Sequence, residues 1–301
     1  MIMTNNNPQK NLSTNGISKK LNAEFELNQL PDDLKISTMT IICNLNTLIN
    51  IENVGKYISL NHGGIVCIKY GNGEIRTLIK LKKTNKNNVK NKKNFYNQAT
   101  LVVDVKNKRR VNVKLFKNGA VQLTGCKNIE NFIDAMEIIC NELTKTKAVY
   151  NKTDCKIIRK EFVTKQENTS VENIYNFKIS MINSNFHIGF IVNREILYEI
   201  LTKSGIRSSY EPCIHACVNI KYNYKNQEMI SIFVFESGSI IITGAKNTNH
   251  IIESYKFITK ILYENYDKIV KNDIDKFLEK PEIKELINKN QQDSAEILIT
   301  I

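Results

Sequence analysis

No stretch of 18 consecutive apolar residues occurs in this chain, and its first 30 residues are rich in Asn and Lys with no apolar core segment. The first absence argues against a membrane-spanning helix and the second against a secretory signal, so a nuclear or cytoplasmic setting is expected. Tryptophan is missing altogether. Together with abundant Asn, Lys and Ile, that points to an A·T-rich coding sequence and says nothing about fold. There is no P-loop, no glycine-rich dinucleotide fingerprint and no pair of neighbouring carboxylates suited to a catalytic metal, since Asp104 and Asp134 stand singly. His62, His187, His215 and His250 have no acid or nucleophile pattern around them. An enzyme is therefore not expected, nor a cofactor. Seven cysteines, an odd number scattered along the chain, do not make a disulfide framework and read as reduced core thiols. Cys213-Ile-His-Ala-Cys217 offers three ligand types at two-residue spacing on what reads as a strand, but a zinc site wants a second ligand pair, so no metal is expected.

What is present is a globular composition and a strong charge bias. Of 301 residues 42% are hydrophobic, enough to fill one large core or two small ones. The formal charge of +13 predicts attraction to polyanions, nucleic acid before acidic membrane.

The chain also repeats itself. Phe116 to Ile139 reads FKNGAVQLTGCKNIENFIDAMEII and Phe235 to Ile258 reads FESGSIIITGAKNTNHIIESYKFI, at a constant offset of 119. Phe, Gly, Thr-Gly, Lys and Asn recur in register. An earlier block, Leu34 to Glu52, aligns with Phe177 to Glu195 at an offset of 143, anchored by a shared Lys-Ile-Ser. The fall in offset assigns roughly 24 extra residues to the first copy, coinciding with the acid-free Lys/Asn run near 81–94. The expected organisation is a polar N-terminal segment at 1–33, a first repeat at 34–145, a linker at 146–176, a second repeat at 177–265 and a helical extension at 266–301.

Within each repeat, β-branched alternation predicts an opening strand at Lys35 to Cys43 and Lys178 to Phe186. A short helix follows, with Ile51, Val54 and Ile58 in one copy and Ile196, Ile200 and Leu201 in the other as its buried face. Strands at 100–105, 110–116 and 120–124, matched by 218–222, 229–235 and 239–243, come next, with tight turns ending at Gly119 and Gly238. A long amphipathic helix closes the unit. The fold class is α+β, with helices on one face of an antiparallel sheet. Period-two alternation puts Val111, Val113, Leu115, Val121 and Leu123 under the helices and leaves Asn112, Lys114, Phe116, Gln122 and Thr124 on the other face. In the second copy Ile230, Ile232, Val234, Ile240 and Ile242 are core, with Ser231, Phe233, Phe235, Ile241 and Thr243 opposite. An aromatic at a strand end therefore recurs on the uncovered face of both copies. A partner chain covering the sheet would also account for it.

At Phe116-Lys-Asn-Gly119 with Leu123-Thr-Gly-Cys-Lys127, and at Ser208-Ser-Tyr-Glu-Pro212 with Phe235-Glu-Ser-Gly238 and Ile242-Thr-Gly-Ala-Lys246, the chain resembles the TATA-binding protein family. The resemblance covers the two repeats and implies a two-repeat saddle, a curved antiparallel sheet with helices on its convex face, that lies in the minor groove of A·T-rich duplex DNA and bends it. An apolar and hydroxyl-bearing surface suits A·T steps, where the groove offers acceptors only. Phe116 and Phe235 match two phenylalanine wedges, a device for which this family is the reference case. Thr124 and Thr243 match its paired groove threonines. A further wedge maps to Phe95 or Tyr96 and the last to His215. The family's two groove-reading asparagines fall at Thr38 and Met181, and its valines at Thr40, Asn183, Gln122 and Ile241, so a TATA preference does not carry over directly. Phosphate contacts are expected from Arg109, Arg110, Lys114, Lys127 and Lys246, with Lys106 and Lys108 beside them. Glu211 is expected to meet a factor IIB-like protein and the first-repeat edge a factor IIA-like one, in contact with RNA polymerase machinery. The protein would be a monomer on DNA. Two alternatives remain: a saddle that has lost bending and serves as a protein-binding regulator, possible given the missing asparagines, and a sheet platform for single-stranded RNA, which stacking on exposed aromatics would favour.

Overall fold

The computed structural model describes residues 30–80, 96–106, 108–271 and 281. The basic run at 81–94, Phe95, the N-terminal segment and the helix expected from Pro281 onward lie outside or almost wholly outside the described residues. The chain forms two compact units, one built on residues 36–183 with 246–248 and the other on residues 31–35, 184–245 and 249 onward.

The first unit contains β1 (Lys35–Asn44), helix α1 (Ile51–Tyr57), β2 (Ile65–Tyr70), β3 (Glu74–Thr77), β4 (Gln98–Val105), β5 (Arg109–Phe116), β6 (Ala120–Cys126) and helix α2 (Ile129–Leu143). Its strands lie in the order β1-β6-β5-β4-β2-β3, and every neighbouring pair is antiparallel. Val111, Val113, Leu115, Val121 and Leu123 are completely buried, as alternation predicts. Each contributes about 1.5–3 kcal/mol through removal of apolar surface from water. Helix α2 lies across β4 and β6 and buries Phe132, Met136, Ile139 and Leu143. β2 and β3 were not anticipated. Val66 and Cys67 in the apolar run IVCIKY sit in a buried strand with no alternation to reveal it, and β3 is a four-residue polar edge. The Gly71-Asn-Gly73 element is the turn between them. β3 also supplies Arg76, whose guanidinium donates to the carbonyls of Gly55 and Ile58 at 2.8 Å each, capping the end of α1.

The second unit repeats the pattern with the end of β9 (Tyr175–His187), helix α3 (Arg194–Lys203), β10 (Ser208–Ser209), β11 (Cys217–Tyr224), β12 (Glu228–Phe235), β13 (Ser239–Ala245), helix α4 (Thr248–Glu264) and the one-turn α5 (Tyr266–Ile269). Its order is β9-β13-β12-β11-β10. The face of α3 differs from expectation: Leu197 and Leu201 are buried, whereas Ile196 is 37% exposed. The cap fixes the phase, because Asn193 accepts a hydrogen bond from the Ile196 amide at the third helical position, and Ile196 faces outward.

The recurring residues have local causes. Asn50, Asn128 and Asn193 are all N-caps, each side chain accepting from the amide three residues on. Gly119 and Gly238 have φ of +86° and +83°, and a Cβ on either would come within 2.3 Å of a backbone carbonyl, that of Thr47 or Phe190. Only glycine fits there.

Each repeat runs further than the sequence indicates. After α2 a hairpin of β7 (Lys147–Asn151) and β8 (Lys156–Lys160) leads to a return segment, where Asn50 donates its amide to Phe162, Thr164 donates to Leu48, and Ile49 bridges Val163. After α4 the one-turn α5 leads to the same contacts: Asn193 to Ile269, Lys271 to Ile191, and Val192 bridging Val270. Phe162 and Ile269 are both fully buried. Residues 146–176, expected as a linker, supply Phe162, Val163 and Val171 to the core.

Candidate nucleic-acid interface

The helices leave one face of each sheet uncovered, and that face is built strand by strand. In the first repeat β5 presents Asn112, Lys114 and Phe116, while β6 presents Gln122 and Thr124. Hydrogen-bond register sets Lys114 opposite Gln122 and Asn112 opposite Thr124. Phe116 is half-buried at the end of β5, and Thr124 is exposed. In the second repeat register sets Phe233 opposite Ile241 and Ser231 opposite Thr243. Phe235 is half-buried at the end of β12.

Register also identifies the partner of His215. Gln98 lies opposite Phe116 and Cys217 opposite Phe235, so the residues two positions earlier, Tyr96 and His215, occupy equivalent places. Tyr96 is 66% exposed. The sequence left Phe95 and Tyr96 undecided; Phe95 lies outside the described residues, and the ladder selects Tyr96. His215 is exposed and sits on a turn rather than a strand, its amide donating to the Glu211 carbonyl at 2.8 Å. That turn corrects the strand reading of Cys213-Ile-His-Ala-Cys217, and no group of three metal-ligating side chains exists among the described residues. Arg194, which sequence reasoning passed over, fixes this loop. It donates to the Ala216 carbonyl at 2.8 Å, pairs with Glu236 and lies over the Tyr210 ring at 5.5 Å. Its place directly after the capping Asn193 was the available signal.

A family profile described as transcription factor TFIID, or TATA-binding protein, matches residues 70–146 and 176–265. A "TATA-box-binding protein-like" protein of Acanthamoeba polyphaga mimivirus is 38% identical over 293 residues, covering 89% of this chain and 76% of that protein. The chain belongs to the TATA-binding protein family. A solved structure, Methanococcus jannaschii TBP, aligns with 77% of this chain and 99% of its own at 18% identity and a TM-score of 0.47, too distant a likeness to carry weight by itself.

On the opening strands of this TATA-binding-protein family member, the expected groove positions differ in exposure. The β1–β6 ladder has a bulge: Met39 pairs with Cys126 and Thr40 with Thr124, so Gly125 is the extra residue on β6. Thr40 is only 7% exposed, so it is far less available than its place on the uncovered face suggested. The Thr38 hydroxyl is enclosed without a hydrogen-bond partner. Met181 and Asn183 are half-buried, and the Asn183 carbonyl accepts from the Ser37 hydroxyl at 3.0 Å.

The cations expected to meet phosphate do gather, but not all are available. Lys108, Arg109, Arg110 and Lys127 line a concavity of about 590 Å³ with Asn128 and Asn131. Arg109 is committed to the fold: its Nε donates to the Gly125 carbonyl at 2.7 Å and its Nη2 to that of Ser37 at 3.1 Å, clamping the ends of β6 and β1. Arg110 pairs with Asp104 at 2.9 Å and Lys106 with Asp134 at 3.0 Å. The Asp134 partner pushes the Lys106 ammonium above its ordinary range. Lys127 and Lys114 are exposed, Lys246 half-buried, and Glu211 exposed beside the His215 turn.

The cysteines divide. Cys43, Cys126 and Cys140 are buried, and burial pushes each thiol up to about 12. Cys155 and Cys213 are exposed and Cys217 is half-buried, so these three are not the core thiols the sequence suggested.

Proposed function

We propose that this protein is a transcription initiation factor that binds A·T-rich duplex DNA through the uncovered faces of its two repeats and bends it from the minor-groove side. The observation that carries the reading is the recurrence, at equivalent ladder positions, of a half-buried phenylalanine at the end of the second-last sheet strand of each repeat, Phe116 on β5 or Phe235 on β12, with Thr124 or Thr243 on the adjoining strand. A phenylalanine at a sheet end can enter a base step and unstack it, a cost of a few kcal/mol offset by the added contact along a bent duplex. Tyr96 and His215 are the second wedge of each repeat; Tyr96 is the larger hydrophobic body and His215 the weaker wedge. Exposed Lys127, with Lys108 at the basic concavity, supplies backbone attraction that falls with salt, whereas Lys114 stands on the uncovered face itself, opposite Gln122. Arg109 acts through the sheet, holding the β1 and β6 ends that carry Thr38 and Thr124. Glu211, exposed in its turn, is the proposed contact for a factor IIB-like partner, and the first-repeat edge that for a factor IIA-like one.

The test is end-to-end energy transfer on short A·T-rich and G·C-rich duplexes at two salt concentrations. Wild-type protein shortens the A·T-rich duplex, and Phe116→Ala/Phe235→Ala abolishes the shortening while salt-dependent binding persists. Equal, unbent binding of both duplexes by the wild type would sink the wedge mechanism and favour a protein-binding regulator.

A further inference from the structure

Among the differences between the two uncovered faces, one changes both members of a cross-strand pair in chemical character. In the first repeat the cross-strand pair is Lys114 and Gln122; in the second it is Phe233 and Ile241. The neighbouring pairs, Asn112 with Thr124 and Ser231 with Thr243, keep a hydroxyl in both. The second face also holds a lysine, but Lys221 lies on the next strand, where it donates to the Ser231 hydroxyl at 2.6 Å beside the Ser231–Thr243 pair rather than the Phe233–Ile241 pair. Lys114 is exposed and Gln122 half-buried, and both project from the side opposite the fully buried Val113, Leu115, Val121 and Leu123.

Base-pair chemistry gives this difference a consequence. In the minor groove A·T and T·A present acceptors only, whereas G·C adds the guanine amino donor. A surface of Phe and Ile pressed into the groove buries that donor without a partner, an unfavourable arrangement. Gln carries both an acceptor oxygen and two amide donors, so it serves either kind of base pair by rotating its carboxamide, and the Lys ammonium donates to the acceptors common to all pairs. Resting on the minor-groove reading above, we propose that Lys114 and Gln122 make the first repeat tolerant of a G·C pair while Phe233 and Ile241 hold the second repeat to A·T. The two repeats thus read the two halves of a site by different rules, and a G·C pair in one half orients the protein.

Four duplexes of equal length test this: an all-A·T core, one with a single G·C pair in the left half, one with it in the right half, and one with a G·C pair in each. Because the protein can turn end for end, the wild type binds and bends the first three within about threefold and loses about tenfold on the last, as expected for one poorly matched base pair. Lys114→Phe/Gln122→Ile, which gives the first repeat the second's pair, loses about tenfold on either one-sided duplex. The reciprocal Phe233→Lys/Ile241→Gln recovers the two-sided duplex. A wild type that loses as much on the one-sided duplexes as on the two-sided one overturns the inference and leaves minor-groove binding standing, as does equal affinity for all four. Failure to bind even the all-A·T duplex overturns the functional reading with it.

Discussion

The two repeats share what backbone geometry demands and differ at many of the positions where a side chain faces outward. Gly119 and Gly238 sit at matching turns with left-handed φ and a carbonyl in the space of a Cβ. Asn50 and Asn193 cap matching helices, and Phe162 and Ile269 return to matching loops. Against that common frame the first repeat adds β3 at its edge and a β7–β8 hairpin in its return, where the second has a two-residue β10 and a single helical turn. Arg109 ties two strand ends together in the first repeat; its counterpart at the start of β12 is Glu228, of opposite charge. After duplication, positions held by steric necessity stay alike, since any change there costs the fold. Surface positions are free to diverge, and they are where one repeat can acquire a different reading rule from the other.

The return segments offer the sharpest break in that symmetry. Phe162→Ala leaves a large void in the first unit and is expected to cost about 3–5 kcal/mol, whereas Ile269→Ala costs about 2–5 kcal/mol in the second. Urea unfolding followed by hydrogen exchange should show each variant loosening its own unit first. If Phe162→Ala leaves stability unchanged, the return segment is not part of the first core.

A smaller effect is expected at the shared turns. Gly119→Ala and Gly238→Ala each force a side chain into left-handed φ against a carbonyl, at about 2–3 kcal/mol. Thermal unfolding should register similar losses for both, and a marked inequality would mean the two turns are not equivalent.

The smallest difference is alkaline. Burial raises Cys43, Cys126 and Cys140 from 9.0 to about 12. All three belong to the first unit, and the second has no buried cysteine. A raised folded value means that the stability these thiols contribute is complete below pH 9.0 and drains away as pH climbs toward 12. In the second unit Tyr255 moves in the same sense, up to about 12, through burial and then its 2.9 Å bond to Asp33. Amide exchange between those pH limits should loosen the first unit ahead of the second, and replacing the three thiols with Ala should remove the difference. Simultaneous loosening of both units in the wild type would count against the thiol origin.

The sequence by itself determined the duplication, the α+β order, the inward and outward faces of β5, β6, β12 and β13, and the family. All of these rest on periodicity and local motif, which a linear chain displays directly: a period of two assigns faces, and residues recurring in register, such as Thr124-Gly125 and Thr243-Gly244, expose the duplication. Only the tertiary structure decided what depends on partners distant in the chain. It paired Tyr96, rather than Phe95, with His215, because register is set across strands. It enclosed Thr40 and committed Arg109 to the carbonyls of Gly125 and Ser37, because exposure and hydrogen bonding are properties of neighbours. It turned Phe162 and Ile269 into core, since a one-residue bridge between segments more than 70 residues apart leaves no periodic trace in either.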